Sequence, residues 1–171
     1  MPKKCNNKKN KNTSFQMNKS NKLILCILFP LLVGSVSGIA TASGVNNWFQ
    51  TINKPSFNPP NYLFGPVWTI LYILMGISFY LVLQTPYSKS NKYALAIFFV
   101  QLFLNSSWSF LFFRYKLIGV AFIDIILLWL SIICMIYAFS KINKRAAYLQ
   151  LPYLLWVSFA SILNGAIWWL N

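Results

Sequence analysis

Five long apolar stretches, almost free of charge, alternate with short polar connectors along the 171-residue chain. A run of about 20 apolar residues spans the ~30 Å hydrocarbon core of a bilayer as a helix. The pattern predicts helices over about 23–42, 62–83, 93–113, 117–139 and 147–169. No ten-residue segments alternate apolar with polar positions, which argues against a membrane β-barrel. Helices remain as the way to satisfy the backbone in lipid. The expected fold is an all-α membrane protein, a five-transmembrane-helix bundle occupying residues 23–171. Residues 1–22, lysines set among asparagines, are expected to form a disordered basic cytoplasmic tail.

The first apolar run admits a second reading. A basic segment precedes it and Ala40-Thr41-Ala42-Ser43 resembles a cleavage site, as in a signal peptide. Its length of about twenty residues exceeds a typical signal core, and more spans follow, so it is taken as the first membrane helix. It carries Gly34, Gly38 and Ala42 at four-residue spacing, a row of small residues that lets a neighbouring helix approach closely. Packing within the chain is preferred there to a dimer seam.

The connector that follows holds Pro55, Pro59 and Pro60, and Pro66 opens the second helix. Each proline fixes its own φ and pushes its predecessor toward extended geometry, so this connector is stiff. The second helix presents Trp68, Tyr72, Gly76 and Tyr80 at four-residue steps, and the third presents Gln101, Asn105, Trp108 and Phe112 on one face. A carboxamide such as Asn105 is costly in lipid and should face protein, a cavity or a ligand. On the fifth helix the row is Pro152, Trp156, Ala160, Asn164 and Trp168, with Pro152 expected to kink the rod. Three aromatic faces under a stiff connector suit a pocket for a flat apolar molecule. Core packing is the competing account of the same spacing.

Charge refines this picture. Fifteen Lys/Arg stand against one acid, Asp124, for a formal net charge of +14. The cations sit in the tail and connectors, so orientation against the membrane explains them better than nucleic acid does, and no nucleic-acid partner is expected. Lys54, Arg114 and Lys116 lie on the side opposite to the tail, Lys89, Lys92, Lys141, Lys144 and Arg145 on the tail's side. The excess puts the N-terminus in the cytoplasm and the C-terminus outside. The chain has no His, which excludes histidine metal sites and His-assisted nucleophiles, and one acid cannot supply a paired-carboxylate mechanism. Cys5, Cys26 and Cys134 match no metal or redox spacing. Asp124, about two turns inside the fourth helix, is either a functional group or a hydrogen-bonded packing residue.

The blocks KPSFNPPNYLFGPVWTILYILMG, LNSSWSFLFF and LPYLLWVSFASILN resemble the TspO/MBR family, the tryptophan-rich sensory proteins and mitochondrial translocator proteins. The resemblance covers roughly residues 34–171 in order. It implies a five-helix bundle, usually a homodimer, that binds porphyrins or haem-like molecules beneath the loop joining helices one and two. By motif position it assigns ligand contact to Pro59, Trp68, Tyr72, Asn105, Trp108, Trp156 and Ala160, and to the aromatic pair Trp48 and Phe49. Phe49 lacks the hydroxyl of the tyrosine common there. Some members are credited with a light- and oxygen-dependent breakdown of protoporphyrin IX, with tryptophans matching Trp68 and Trp156 taking part. The expected function is porphyrin binding for sensing, trafficking or disposal, without a resident cofactor; that degradation and a regulatory membrane scaffold are the alternatives. The acid-poor, lysine-rich composition favours a bacterial plasma membrane. The C-terminus, IWWLN, lacks the base that ends the animal sterol motif.

Overall fold

A computed structural model describes residues 18–45, 47–86 and 89–171. Five rods dominate: α1 (Lys19–Val45), α3 (Phe64–Leu83), α4 (Lys89–Ser109), α5 (Ile118–Ser140) and α7 (Leu151–Leu170). Two short helices, α2 (Trp48–Thr51) and α6 (Lys144–Tyr148), sit in the first and last connectors. A 3₁₀ turn, Asn61–Leu63, leads into α3, and a π-helical turn, Phe110–Arg114, ends the α4 span. Five spans are long and apolar enough to cross a membrane, and no strand occurs among the described residues. The protein is an integral membrane five-helix bundle.

Helix α1 packs along α3 on one side and α4 on the other; α4 packs on α5, and α5 on α7. The ring closes at the tail end where α6 meets α3, with the Ser78 hydroxyl donating to the Ala146 carbonyl at 2.7 Å. Nearer the connector, α3 and α7 touch through rings: Trp68 lies edge-on to Tyr153 at 6.2 Å and Phe64 to Trp156 at 6.1 Å. The interior is filled by Met75, Phe98, Ile132, Met135, Phe139 and Val157, all buried.

The α1–α3 approach has a local cause. Pro30 lies inside α1 and has no N–H to bond the Cys26 carbonyl one turn back. Gly76 comes against that point: a Cβ on it would lie 2.7 Å from the Cys26 oxygen and 2.5 Å from Ile27 Cα. Absence of a side chain at Gly76 is what lets the two backbones meet.

Three elements differ from the sequence expectation. Helix α1 begins at Lys19, so Lys19 and Lys22 are helical rather than part of a disordered tail; lysine stems lie along apolar surface while their ammonium groups reach water, which lets the helix extend. Residues 1–17 of the tail lie outside the described residues. The third span does not run on as α-helix to Phe113: Tyr115 N–H donates to the Phe110 carbonyl at 2.9 Å and Leu117 N–H to Leu111 at 2.9 Å, widening the last turn. The last span is broken rather than kinked, with α6 ending at Tyr148 and α7 starting at Leu151. Pro152 cannot bond the Tyr148 carbonyl, and it is placed instead in the first turn of α7, where its missing N–H costs nothing.

The proline-rich connector crosses the end of the bundle from α1 to α7. Asn53 N–H donates to Asn171 Oδ1 at 3.0 Å, and Asn171 Nδ2 donates to the Asn53 carbonyl at 3.0 Å. Asn53 Nδ2 adds a bond to the Leu170 carbonyl at 3.3 Å, and Phe57 packs on Phe159 with centroids 6.4 Å apart. The connector is thereby clasped to the far side of the molecule.

A candidate ligand site between α1 and α3

The small-residue row of α1 and the aromatic row of α3 face one another, and they do not touch along their whole length. At Gly34 contact is tight: a Cβ would sit 2.2 Å from Tyr72 Cε2. One turn on, a Cβ at Gly38 would meet nothing within 4 Å. The gap is a crevice of about 600 Å³ with Gly38 and Ala42 on one wall, Trp68 and Tyr72 on the other, and Asn61 and Tyr62 of the connector at its end. Such a volume is in the range of small-molecule sites, about 300–1,000 Å³. No charged side chain lines it.

The aromatic wall is held from behind. Trp68 and Tyr72 lie 5.7 Å apart, tilted by 31°. The Tyr72 hydroxyl donates to Asn105 Oδ1 in the core. Asn105 Nδ2 donates to the Tyr153 hydroxyl at 3.1 Å, which donates to Gln101 Oε1 at 3.0 Å. This polar spine joins α3, α4 and α7 and satisfies both ends of the Asn105 carboxamide. Asn105 therefore faces protein and fixes Tyr72; it does not reach the crevice. A further bond, Ser37 Oγ to Ser106 Oγ at 2.9 Å, ties α1 to α4.

A model of the TspO/MBR family matches residues 26–170 of this chain. The chain belongs to the TspO/MBR family. It is 43% identical over 150 residues to the tryptophan-rich protein TspO of Chlorobaculum tepidum, covering 87% of this chain and 95% of that protein. It is 41% identical to the tryptophan-rich protein TspO of Archaeoglobus fulgidus, covering 88% and 97%. It is 33% identical to the translocator protein of Homo sapiens over 123 residues, 71% of this chain and 73% of that one.

The residues that the TspO/MBR motifs single out are not gathered into one cavity. Trp68 and Tyr72 line the crevice. Phe49, Trp108 and Ala160 are buried around an interior void of only about 20 Å³. There Trp108 stacks on Phe112 at 5.4 Å, and its Nε1 donates to Asn164 Oδ1 at 2.9 Å. Asn164 in turn donates to the Ile118 carbonyl at 3.2 Å. Trp48 is half-buried, edge-on to Phe112 at 5.6 Å, and faces a separate cleft outside the bundle. Trp156 borders an apolar groove of about 410 Å³ between α3 and α7, and its buried Nε1 has no hydrogen-bond partner. Pro59 is half-buried in the connector, where its carbonyl accepts from Asn58 Nδ2 at 3.1 Å.

Asp124 is buried on the inward face of α5 and does not line the crevice. Sequence reasoning passed over Tyr153, the phenol at the centre of the polar spine. Its signal is the spacing Tyr153, Val157, Ala160, Asn164, which follows one helical face more closely than the row through Trp156.

Proposed function

We propose that the protein binds flat, largely apolar ligands of the porphyrin type in the α1–α3 crevice, for sensing, trafficking or disposal of tetrapyrroles. The observation that carries this is the crevice itself: an unfilled, uncharged space with an indole and a phenol on one wall and glycine on the other. A planar ring stacks on Trp68 and Tyr72, and the bare backbone at Gly38 gives it room. With no His in the chain, affinity rests on stacking and burial, not on a bond to a metal in the ring.

Trp48, Phe49, Pro59, Asn105, Trp108, Trp156 and Ala160 form the remainder of the proposed site in a second layer. Phe49, Trp108 and Ala160 come within reach of a ligand when the interior rings part; Asn105 acts through Tyr72. Orientation with the N-terminus in the cytoplasm, a bacterial plasma membrane and a homodimer belong to the same reading. They are supported by the one-sided distribution of cations and by the family resemblance.

The test is a titration of the protein in nanodiscs with protoporphyrin IX, read by quenching of tryptophan emission. Trp68→Leu is expected to weaken binding about tenfold, for a lost aromatic stack of about 1.5 kcal/mol. Trp156→Leu is expected to change it much less. The opposite ranking would move the site to the α3–α7 side and sink the crevice assignment.

One arrangement favours the degradative alternative as a second reading. Trp68 lies beside two phenols, Tyr72 at 5.7 Å and Tyr153 at 6.2 Å, a cluster of oxidisable rings against the crevice. Illumination of the complex in air would then yield ring-opened product that Trp68→Phe abolishes. Loss of porphyrin at the same rate in empty nanodiscs refutes that reading.

A further inference from the structure

A second site lies at the connector end, on the outer side of the bundle. A cleft of about 610 Å³ opens between the end of α1, the short α2 and the π-helical turn. Arg114 and Lys116 line it together with Trp48, Ser43, Asn47 and Thr51. The backbone is shaped to bring the two cations there. The π turn ends at Arg114, and Lys116 holds a left-handed φ of 59° that side-chain-bearing residues seldom adopt. Gly44 lets the turn sit against α1, since a Cβ there would lie 2.7 Å from Phe113 Cβ.

The cations are free to take an external anion. Among the described residues no ion pair engages Arg114 or Lys116, and Asp124, the chain's one acid, lies inside α5. The other cation of this end, Lys54, is already seated over the Phe49 ring at 4.9 Å. Ser43 and Thr51 donate their hydroxyls to the backbone carbonyls of Ala40 and Trp48, and Asn47 Nδ2 donates one of its two N–H groups to the Ser43 carbonyl. The charge on an anion therefore falls to Arg114 and Lys116.

What lies next to the cleft identifies the class of ligand. Ser43 shares one face of α1 with Ile39, Val36 and Leu32, which are 73%, 55% and 64% exposed. A charged cleft at the level where the spans end is thus continuous with an apolar strip running down into the bilayer. We propose that this cleft binds one anionic phospholipid, its phosphate against Arg114 and Lys116 and its acyl chains along Ile39, Val36 and Leu32. Arginine suits this work because its planar fork matches phosphate oxygens, and Trp48 belongs at headgroup depth. The cleft and the crevice share no lining residue, and of the residues proposed for the porphyrin Trp48 alone borders the cleft.

The experiment uses the full chain, equilibrated with equal amounts of phosphatidylglycerol and phosphatidylcholine and examined by native mass spectrometry. One retained phosphatidylglycerol per chain is expected. Near a membrane surface one basic residue contributes about fivefold in affinity, so Arg114→Gln or Lys116→Gly should lose about fivefold and the pair about twenty-five-fold. Glycine adopts the left-handed conformation freely, so Lys116→Gly removes the charge without straining the turn. Lys19→Gln with Lys22→Gln, at the opposite end, should leave that lipid bound. Equal retention of both lipids, or retention by the Arg114/Lys116 pair variant, overturns the proposal. Displacement by millimolar inorganic phosphate would mark a site for a soluble anion, and displacement by protoporphyrin would give the cleft to that ligand's carboxylates; either also overturns it.

Discussion

Gly38 is the position where the crevice can be filled without disturbing the bundle. A Cβ there meets nothing within 4 Å, whereas at Gly34 it would lie 2.2, 2.5 and 2.7 Å from three atoms of the Tyr72 ring. Gly38→Leu therefore places a branched side chain in open space, against Trp68 and Tyr72 across the gap. Leucine is a better helix former than glycine by somewhat less than the ~0.8–1 kcal/mol that separates alanine from glycine, so stability should hold or rise. The side chain excludes about 100 Å² of contact between a planar ligand and the α1 wall, or about 2.5 kcal/mol at about 25 cal/mol per Å². That is about sixty-fold in Kd. The assay pairs a protoporphyrin titration in nanodiscs with thermal unfolding of the same sample. The expected result is a large loss of affinity at an unchanged or higher Tm. Gly34→Ala gives the contrast: Tyr72 is anchored on Asn105 and cannot swing away, so both affinity and Tm should fall. Wild-type affinity in a well-folded Gly38→Leu protein would refute the crevice as the ligand site.

Three further substitutions probe the frame around it. Gly76→Ala drives a methyl to 2.5 Å from Ile27 Cα in the backbone of α1, where no side chain can yield; the cost of about 1–3 kcal/mol should lower Tm by about 2–12 °C. A thermal scan matching that of Gly38→Ala would contradict the close approach. Asn105→Leu strands the Tyr72 hydroxyl in the core, at about 1–3 kcal/mol for a buried group left unpaired, and takes from the Tyr153 hydroxyl the bond it accepts while leaving the one it donates to Gln101. Combining it with Tyr72→Phe should recover part of that loss in chemical unfolding, and strict additivity would mean that the two residues do not act as a unit. Asp124→Asn should leave porphyrin affinity within about twofold, because the residue lies off the crevice; a tenfold loss in the same titration would put the acid in the ligand's path.

The five spans were legible because length and lack of charge are properties of single segments. The site was less so, and the reason is geometric. A row of residues at four-residue steps rotates about 40° per step around a helix of 3.6 residues per turn. Pro152, Trp156, Ala160, Asn164 and Trp168 therefore sweep about 160° from first to last. Ala160 and Asn164, in mid-row, are buried; Trp156 is half-buried, and Pro152 and Trp168 at the ends are exposed. The inward face is Tyr153, Val157, Ala160, Asn164 and Ile167, which alternates steps of four and three. On α3 the same drift leaves Trp68 and Tyr80 half-buried at either end of buried Tyr72 and Gly76. The π turn, the break at Leu149–Gln150 and the pairing of Pro30 with Gly76 left less trace. Each depends on which neighbour a backbone group meets, and a single sequence does not name that neighbour.

How a ligand reaches the crevice follows from what closes its ends. Gly34 pressed on Tyr72 narrows the crevice toward the tail side, where Leu31 also lines it, and the connector covers the other end through Asn61 and Tyr62. That connector is clasped to α7 by the amide bonds of Asn53 with Asn171. The open direction is sideways between α1 and α3, past Ser35 and Thr69, both exposed. An apolar planar molecule partitions into the bilayer first, so lateral entry lets it arrive without crossing water or moving the connector. Asn171→Ala removes two of the three hydrogen bonds of the clasp, leaving that of Asn53 Nδ2 with the Leu170 carbonyl, and so loosens the connector and tests this route. With lateral entry, the association rate of protoporphyrin measured by stopped-flow quenching should be unchanged, while the connector loosens in hydrogen exchange. A rate that rises as the clasp loosens would mean that ligands enter from the end of the bundle, beneath a connector that has to lift.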